Sequence, residues 1–303
     1  MEMASALVEF SNSLADAVEQ AGRSVVAVLE GGRAGVSGTV WREGVVVTAE
    51  HTIRGAEEVT LVLPSGLTAK AKFLGGDPST DVAVLKVEGQ LQAPEFANAA
   101  EVKTGHVVLA LGRRGEEGVS ASFGMVGATG GAWRTWQGGK IDQYLRLDLN
   151  PYPGFSGGPL IDAGGKVLGI NTSGPRRSIT TIPNATVNRV VDAVLSKGRV
   201  TRGFLGVGVQ PVAFPAATKT SLGLERNRGL LVITVSEGGP AEKAGVMLGD
   251  IIVAVDGAGV AHASDLQSAL DPERVGQGVQ LRVLRGGKLQ DVNLTVGERS
   301  GRE

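Results

Sequence analysis

Short β-branched runs broken by glycine recur along most of this chain, and they restrict it to folds made of many brief strands. The runs SVVAVLEGG, GTVW, GVVVTAEH, VTLVLPSG and LTAKAKFLGG come first, and HVVLALG, SFGMVGAT, QYLRLDL, GPLIDAGGKVLGINT and SITTIP follow. Val, Ile and Thr suit a pleated, half-buried surface, and the Gly, Pro and Ser between runs reverse the chain. The 46 glycines and 4% aromatic content among 303 residues agree with strands joined by tight turns. The reading is mostly β, with one antiparallel barrel or sandwich to about residue 100 and a second to about residue 183. Two such units in series leave a crevice between them, the usual place for a site.

Helical spacing appears at the edges of this β region. Leu7, Phe10, Leu14, Ala17, Val18 and Ala21 predict an amphipathic N-terminal helix stopped by Gly22. Val187, Val190, Val191, Val194 and Leu195 predict a second helix over 184–198, closed by Gly198. After the basic turn KGRVTRG a third unit begins. Pro240 suits a first helical position there and Gly245 a helix end, Asp256-Gly257 signals a turn, and Ser264 suits a cap for a helix over 265–270. The expected organisation is an N-terminal segment over 1–23, a two-barrel β unit over 24–198, a linker over 199–203, a small unit over 204–297 and a solvated tail over 298–303.

Charge and composition exclude several functions. Lys and Arg number 30 against 31 Asp and Glu, interspersed, so the basic footprint that attracts nucleic acid is missing. With no cysteine the chain has no disulfide, thiolate nucleophile or thiolate metal ligand, and no metal or other cofactor is expected. No stretch approaches a membrane span. The first 22 residues have the wrong charge order for a signal peptide. A native Met1 therefore implies a cytoplasmic protein, and a removed leader a periplasmic or other extracytoplasmic one.

The segment PGFSGGPL places Ser156 among three glycines. Acyl transfer needs a hydroxyl on a tight turn with N–H groups converging where an oxyanion develops, and glycine permits that approach. Ser156 is the candidate nucleophile, with the N–H groups of Gly154 and Ser156 as the oxyanion hole. The letters also fit the G-x-S-x-G elbow of α/β-hydrolases, which requires the order Ser, acid, His. His262 is the one histidine after Ser156 and falls in the third unit, whereas His51 and Asp81 both precede the serine. His51 ends the strand VVVTAEH and Asp81 opens DVAVLKV, so both sit at strand ends. A serine hydroxyl needs a base titrating near the working pH, which histidine supplies, and a carboxylate holds that imidazole in one tautomer. His106 and His262 lack such company and read as surface or capping residues.

Together TAEHTI, DPSTDVAVLKV, GFSGGPL and GKVLGINT resemble the corresponding blocks of HtrA (Deg) serine proteases, and RGFLGVGV with GPAEKAGVMLGDIIVAVDG is similar to the PDZ domain that follows them. The resemblance covers about residues 10–297. It implies a chymotrypsin-like double antiparallel β-barrel followed by a small α+β PDZ domain. It further implies a serine endopeptidase acting on unfolded or damaged polypeptides without ATP, and assembly into homotrimers through the N-terminal segment. The competing readings are a proteolytically silent or weakly active chaperone or scaffold of the same fold, and an esterase with this triad.

Some positions depart from the family pattern. Phe155 replaces an Asn, Pro151 and Tyr152 replace Ile-Asn, and Arg113, Arg114, Glu116 and Glu117 replace an Asn-Pro-Phe segment of a regulatory loop. Phe155 leaves two readings open: a resting loop whose Gly154–Phe155 peptide is flipped, so that one oxyanion donor points away, or a ring packed in the second barrel's core. Six residues before the serine, Asn150 should mark the base of the primary specificity pocket, with Thr180 and Thr181 facing it. No acid lies there, and the resemblance implies a preference for small aliphatic side chains. In the PDZ block, a peptide C-terminus would add as a strand, its carboxylate captured by the loop Gly203, Phe204, Leu205 and Gly206, with Arg202 adding charge.

Overall fold

Strands with one face buried in each barrel interior and the other turned outward fold the first β set on itself. In the computed structural model, which describes residues 2–31, 35–53, 55–135, 137–150, 152–174, 179–201, 203–268, 270–271 and 274–298, the chain divides into two units, Met1–Val200 and Thr201–Glu303.

In the first unit, β1 (Val25–Leu29), β2 (Val36–Arg42), β3 (Val45–Ala49), β4 (Glu58–Val62), β5 (Thr68–Asp77) and β6 (Val82–Val87) close a barrel in the order β1-β2-β3-β6-β5-β4. A second barrel uses β7 (Val107–Gly112) and β8 (Ser120–Gly130), then, past a small hairpin of β9 (Trp133–Arg134) and β10 (Lys140–Ile141), β11 (Tyr144–Asp148), β12 (Pro159–Asp162), β13 (Val167–Ser173) and β14 (Ile179–Pro183). Its order is β7-β8-β11-β14-β13-β12. With the hairpin set aside, both barrels follow one pattern, so the chain repeats a single topology. The expected double antiparallel barrel is what the chain forms.

Three apolar clusters hold this unit. Val26, Val28, Leu61 and Leu85 fill the first barrel, and Val108, Ala110, Val126, Phe155, Leu160 and Leu168 the second. The third joins Val25, Trp41, Val47 and Val82 of one barrel to Leu109, Leu111, Ile161 and Ile170 of the other. Helix α1 (Glu2–Gly22) adds Ala17 and Ala21 to this shared core, and α2 (Asn184–Lys197) adds Val187, Val190, Val191 and Val194. A close-packed core between barrels transmits strain and resists sliding, so loops meeting at the junction keep their spacing. Gly198 ends α2 at φ 71°, and its N–H donates to the Val194 carbonyl. Leu7, Val8 and Phe10, in the first half of α1, remain exposed.

The second unit is one sheet of β16 (Val207–Ala213), β17 (Arg228–Val235), β18 (Ile251–Val255), β20 (Gly278–Arg285) and β21 (Lys288–Thr295), with β19 (Ala258–Gly259) beside β18. A two-stranded piece pairs β15 (Gly203–Phe204) with β22 (Gly297–Glu298), so Glu298 belongs to the fold rather than the tail. Three short helices, α3 (Ala216–Ser221), α4 (Pro240–Lys243) and α5 (Ala263–Ser268), flank the sheet. Pro240 opens α4 as its sequence suggests. Ser264 lies inside α5 rather than before it, and the Asp265 carboxylate accepts from the Ala261 and His262 N–H groups at 2.8 and 3.1 Å. Beyond the strands, Arg285 grips the buried Asp250 carboxylate with two bonds of 2.7 Å. Burial alone would raise the Asp250 pKa, but the Arg285 bonds and the Met247 N–H bring it below the ordinary aspartate value. Residues 299–303, most of the expected tail, lie outside the described residues.

Candidate active site

After β3 the chain turns through a single 3-10 turn, Glu50–Thr52, which carries His51 to the barrel rim. Asp81 sits just before β6 at φ 59°, a backbone region that a non-glycine residue seldom occupies. The turn before it is built to hold that conformation: the Asp77 carboxylate accepts from Ser79 N–H at 3.0 Å, Ser79 Oγ at 2.7 Å and Thr80 Oγ1 at 3.0 Å. In return Asp81 receives His51 twice. Its Oδ2 lies 2.7 Å from His51 Nδ1, and its Oδ1 accepts from the His51 N–H at 2.8 Å. Thr172 Oγ1 also donates to Asp81 Oδ2. Burial by itself would raise the Asp81 pKa, but the hydrogen bonds from His51 and Thr172 outweigh it and hold the carboxyl below its ordinary value. With Nδ1 on the carboxylate, Nε2 is the basic nitrogen.

Ser156 follows β11, the position in the second barrel that His51 occupies after β3 in the first. Gly154 and Gly157 take φ 93° and 85°. A Cβ on Gly157 would come within 2.1 Å of the Ser37 carbonyl oxygen. The first barrel clamps this loop by its carbonyls: Ser37 N–H donates to Ser156 O at 3.1 Å, Ser37 Oγ to Gly154 O at 2.6 Å and Thr39 Oγ1 to Gly157 O at 2.9 Å. From β13, Asn171 accepts from Gly157 N–H and donates its own N–H to Gly158 O, both at 2.8 Å. With those carbonyls engaged, the N–H groups of Gly154 and Ser156 donate to no other group among the described residues. Ser156 Oγ stands 3.3 Å from Ser173 Oγ. Adjacent residues at the end of β13 thus join the two halves: Thr172 holds Asp81, and Ser173 meets Ser156.

Phe155 is 3% exposed and lies in the second barrel's core, its ring edge-on to Tyr152 at 5.7 Å. It rests on Gly112, where a Cβ would fall 2.2 Å from the ring. Its N–H bonds the Tyr152 carbonyl at 3.4 Å, and the preceding carbonyl is the one held by Ser37. Of the two readings of Phe155, this is the packing one. Phe155→Asn is therefore expected to cost about 3–5 kcal/mol of stability, the range for emptying a buried aromatic site, with no gain in basal activity. Urea unfolding beside a peptide-hydrolysis assay checks this; a large rise in basal activity would restore the flipped loop.

A cavity of about 600 Å³ opens beside Ser156, with Asn150, Tyr152, Phe155, Asn171, Ser173 and Ile179 in its wall. Asn150 is thus at the cavity, while Thr180 and Thr181 are absent from the wall. Thr181 is buried and donates to Asn171 Oδ1 at 3.1 Å, and Ile179 presents that strand to the cavity. Pro151 lies outside the described residues. Ser37, Thr172 and Ser173 are residues of this arrangement that sequence reasoning did not single out; Thr172 closes the GKVLGINT run and Ser173 follows it, the one local hint of them. The remaining two histidines have partners of their own. His106 Nδ1 accepts from the Lys103 N–H, and His262 lies beside Asp265.

In the second unit, the carbonyls of Leu205 and Gly206 accept from Ala241 and Ser236 N–H groups, each at 2.8 Å. The N–H groups of Leu205 and Gly206 donate to nothing among the described residues. Gly206 holds φ 81°, and β16, which continues from it, is an edge strand of its sheet. Arg202 lies outside the described residues.

Residues 36–170 match the family described as trypsin-like peptidase domain, and residues 203–296 match the PDZ domain family. A probable periplasmic serine endoprotease DegP-like from Brucella suis biovar 1 (strain 1330) is 36% identical over 263 residues, 84% of this chain and 50% of the relative. A protein of the same description from Chlamydia trachomatis serovar D is 35% identical over 264 residues, 85% of this chain and 52% of its own. The chain spans about half the length of these curated relatives. Among solved structures, the HtrA-type protease AlgW with tripeptide is 30% identical at a TM-score of 0.74, covering 95% of this chain and 98% of that one. A serine endoprotease from Yersinia pestis is 28% identical at a TM-score of 0.75, with the same two coverages.

Proposed function

Because the chain belongs to the HtrA family of serine proteases and carries a PDZ domain, we propose that it is an endopeptidase that cleaves unfolded or damaged polypeptides through His51, Asp81 and Ser156. The observation that carries this reading is the Asp81–His51 pair beside a serine loop whose carbonyls are tied down and whose Gly154 and Ser156 N–H groups are left to donate. Ser156 Oγ attacks the substrate carbonyl while His51 Nε2 takes its proton, and the charged Asp81 stabilises the imidazolium. The carbonyl oxygen becomes an oxyanion between the two N–H groups. Collapse breaks the C–N bond, and the imidazolium protonates the leaving amine. Water then hydrolyses the acyl-enzyme by the same steps, restoring Ser156.

The test is digestion of an unfolded protein such as casein beside a folded control, with Ser156→Ala run in parallel. Cleavage of casein by the wild type alone is expected. Suppressed aggregation without cleavage would favour the chaperone reading.

We read the Leu205–Gly206 turn and the edge of β16 as a seat for an extended peptide whose C-terminal carboxylate meets the two N–H groups. Calorimetry on the full-length Ser156→Ala chain is expected to show binding of peptides ending in an apolar residue. C-terminal amidation should weaken it roughly 10- to 100-fold, the value of hydrogen bonds to a charged group at about 1.5–3 kcal/mol. Equal affinity for both forms would remove carboxylate capture. Exposed Leu7, Val8 and Phe10 support trimer assembly through α1, which sedimentation of the full chain tests; a monomer would reject it. No described helix is long and apolar enough to cross a membrane, and an extracytoplasmic location rests on the periplasmic names of the relatives.

A further inference from the structure

We propose that Arg114 reads the leaving-group side of the substrate by binding a carboxylate there, an inference that deepens the peptidase reading and rests on it. The side chain lies across the oxyanion loop. A Cβ placed on Gly154 would fall 2.5 Å from Arg114 Cγ, 2.8 Å from Cδ and 3.0 Å from Nε, so the arginine stem covers the glycine that offers one of the two oxyanion donors.

Its base is fixed to the site. The N–H of the neighbouring Arg113 donates to Ser37 Oγ at 2.9 Å, and that hydroxyl donates to Gly154 O at 2.6 Å. Arg113 is buried, with Nε on the Val25 carbonyl at 3.0 Å. On the other side, the Arg114 carbonyl crowds Gly35, where a Cβ would sit 1.9 Å away. The backbone that carries Arg114 is thus held against the loop by one shared hydroxyl and by close packing.

The head of the side chain is uncommitted. Arg114 is exposed and has no hydrogen-bond or ion-pair partner among the described residues, although Glu116 and Glu117 belong to the same loop. Its place relative to the cavity decides what it meets. Among the described residues, the cavity wall includes Gly154 and Ser156 but neither Arg114 nor any charged side chain. An acyl-side residue in that cavity leaves the amine half of the substrate to pass over the other flank of the loop, where Arg114 stands. A guanidinium offers a planar fork of donors that matches a carboxylate. Two sources present one: Asp or Glu at the first or second residue after the scissile bond, or the terminal carboxylate of a chain cut near its end.

Four peptides separate these outcomes, all sharing one acyl side. Two are long and C-terminally amidated, which keeps them from a carboxylate-reading PDZ site, and differ in Glu or Gln after the bond. Two are Gln peptides ending two residues past the bond, as acid or amide. Affinity is read by fluorescence anisotropy on full-length Ser156→Ala, and kcat/KM on the enzyme with Ser156 intact, each with and without Arg114→Gln. The expected preference for the carboxylate form is about three- to tenfold in at least one pair, the scale of an exposed charge-assisted contact. It should fall to about one in Arg114→Gln and shrink between about 50 mM and 500 mM salt. The pair that shows it identifies the source, side chain or chain end. No preference in either pair, or one that survives Arg114→Gln, overturns the inference while any cleavage leaves the peptidase reading intact. An Arg114-dependent preference in binding with no cleavage by wild type would instead sink the peptidase reading and keep the carboxylate site.

Discussion

Ser156→Ala is expected to reduce turnover of an unfolded substrate by about 10⁴ to 10⁶ while leaving the unfolding transition within about 0.5 kcal/mol of wild type. The first half follows from the chemistry. Alanine has no atom to attack the carbonyl, so what remains is binding and the two N–H donors of Gly154 and Ser156. The second half follows from how the loop is built. Its shape comes from carbonyls held by Ser37, Thr39 and Asn171 and from the seat of Phe155 on Gly112, none of which uses the Ser156 hydroxyl. That hydroxyl meets only Ser173 Oγ, at 3.3 Å, among the bonds formed by described residues. Steady-state hydrolysis and urea unfolding on one preparation check both halves. Substantial activity in pure Ser156→Ala would remove the residue from the mechanism.

His51→Ala and Asp81→Asn should each lose about 10⁴ in kcat, and the double variant little more than either alone, because the groups act as one unit. Asp81→Asn is the more informative of the two. An asparagine amide facing His51 Nδ1 would favour the wrong tautomer and leave Nε2 protonated. Activity and stability should both fall on acidification and differ in window. The wild-type Asp81 carboxyl is held below 3.8, so it is charged across the neutral range and the acid limb of activity belongs to the histidine base. A lowered folded-state value means that ionised Asp81 adds stability above the ordinary aspartate pKa. That contribution is lost as pH falls through the lower folded value. Wild type should therefore lose part of its stability margin over Asp81→Asn when unfolding is compared at about pH 7 and about pH 2.5. A margin that grows on acidification would contradict the hydrogen bonding described for this carboxylate.

Much of the fold was readable because its signals are local. β-branched runs between glycines marked the barrel strands, valines at helical spacing marked α2, and Gly198 marked its end. Ser156, His51 and Asp81 stood out because a Gly-flanked serine and a base and acid at strand ends, in one chain order, form a pattern that does not depend on contacts. What stayed hidden was set by packing between distant segments. Ser37 looks like any strand serine until the barrels meet and its hydroxyl bridges Arg113 and Gly154. Thr172 and Ser173 could not be picked out because only the folded chain brings the end of β13 against both Asp81 and Ser156. Ile179 rather than Thr180 and Thr181 reaches the cavity: alternation puts Thr180 on the opposite face of β14, and Thr181, two residues along the Ile179 face, is buried with its hydroxyl on Asn171 Oδ1. Phe155 left two readings open for the same reason: nothing in the letters GFSGG says that Gly112 leaves a hollow for its ring.

The most direct test of a His51-activated Ser156 is covalent labelling of the full chain with a fluorophosphonate probe, followed by peptide mapping of the modified residue. Wild type should label at Ser156, and His51→Ala should label at the same residue at least about 10³ times more slowly, since the probe reports an activated hydroxyl rather than an exposed one. Labelling at another residue, or equal rates in wild type and His51→Ala, would contradict it.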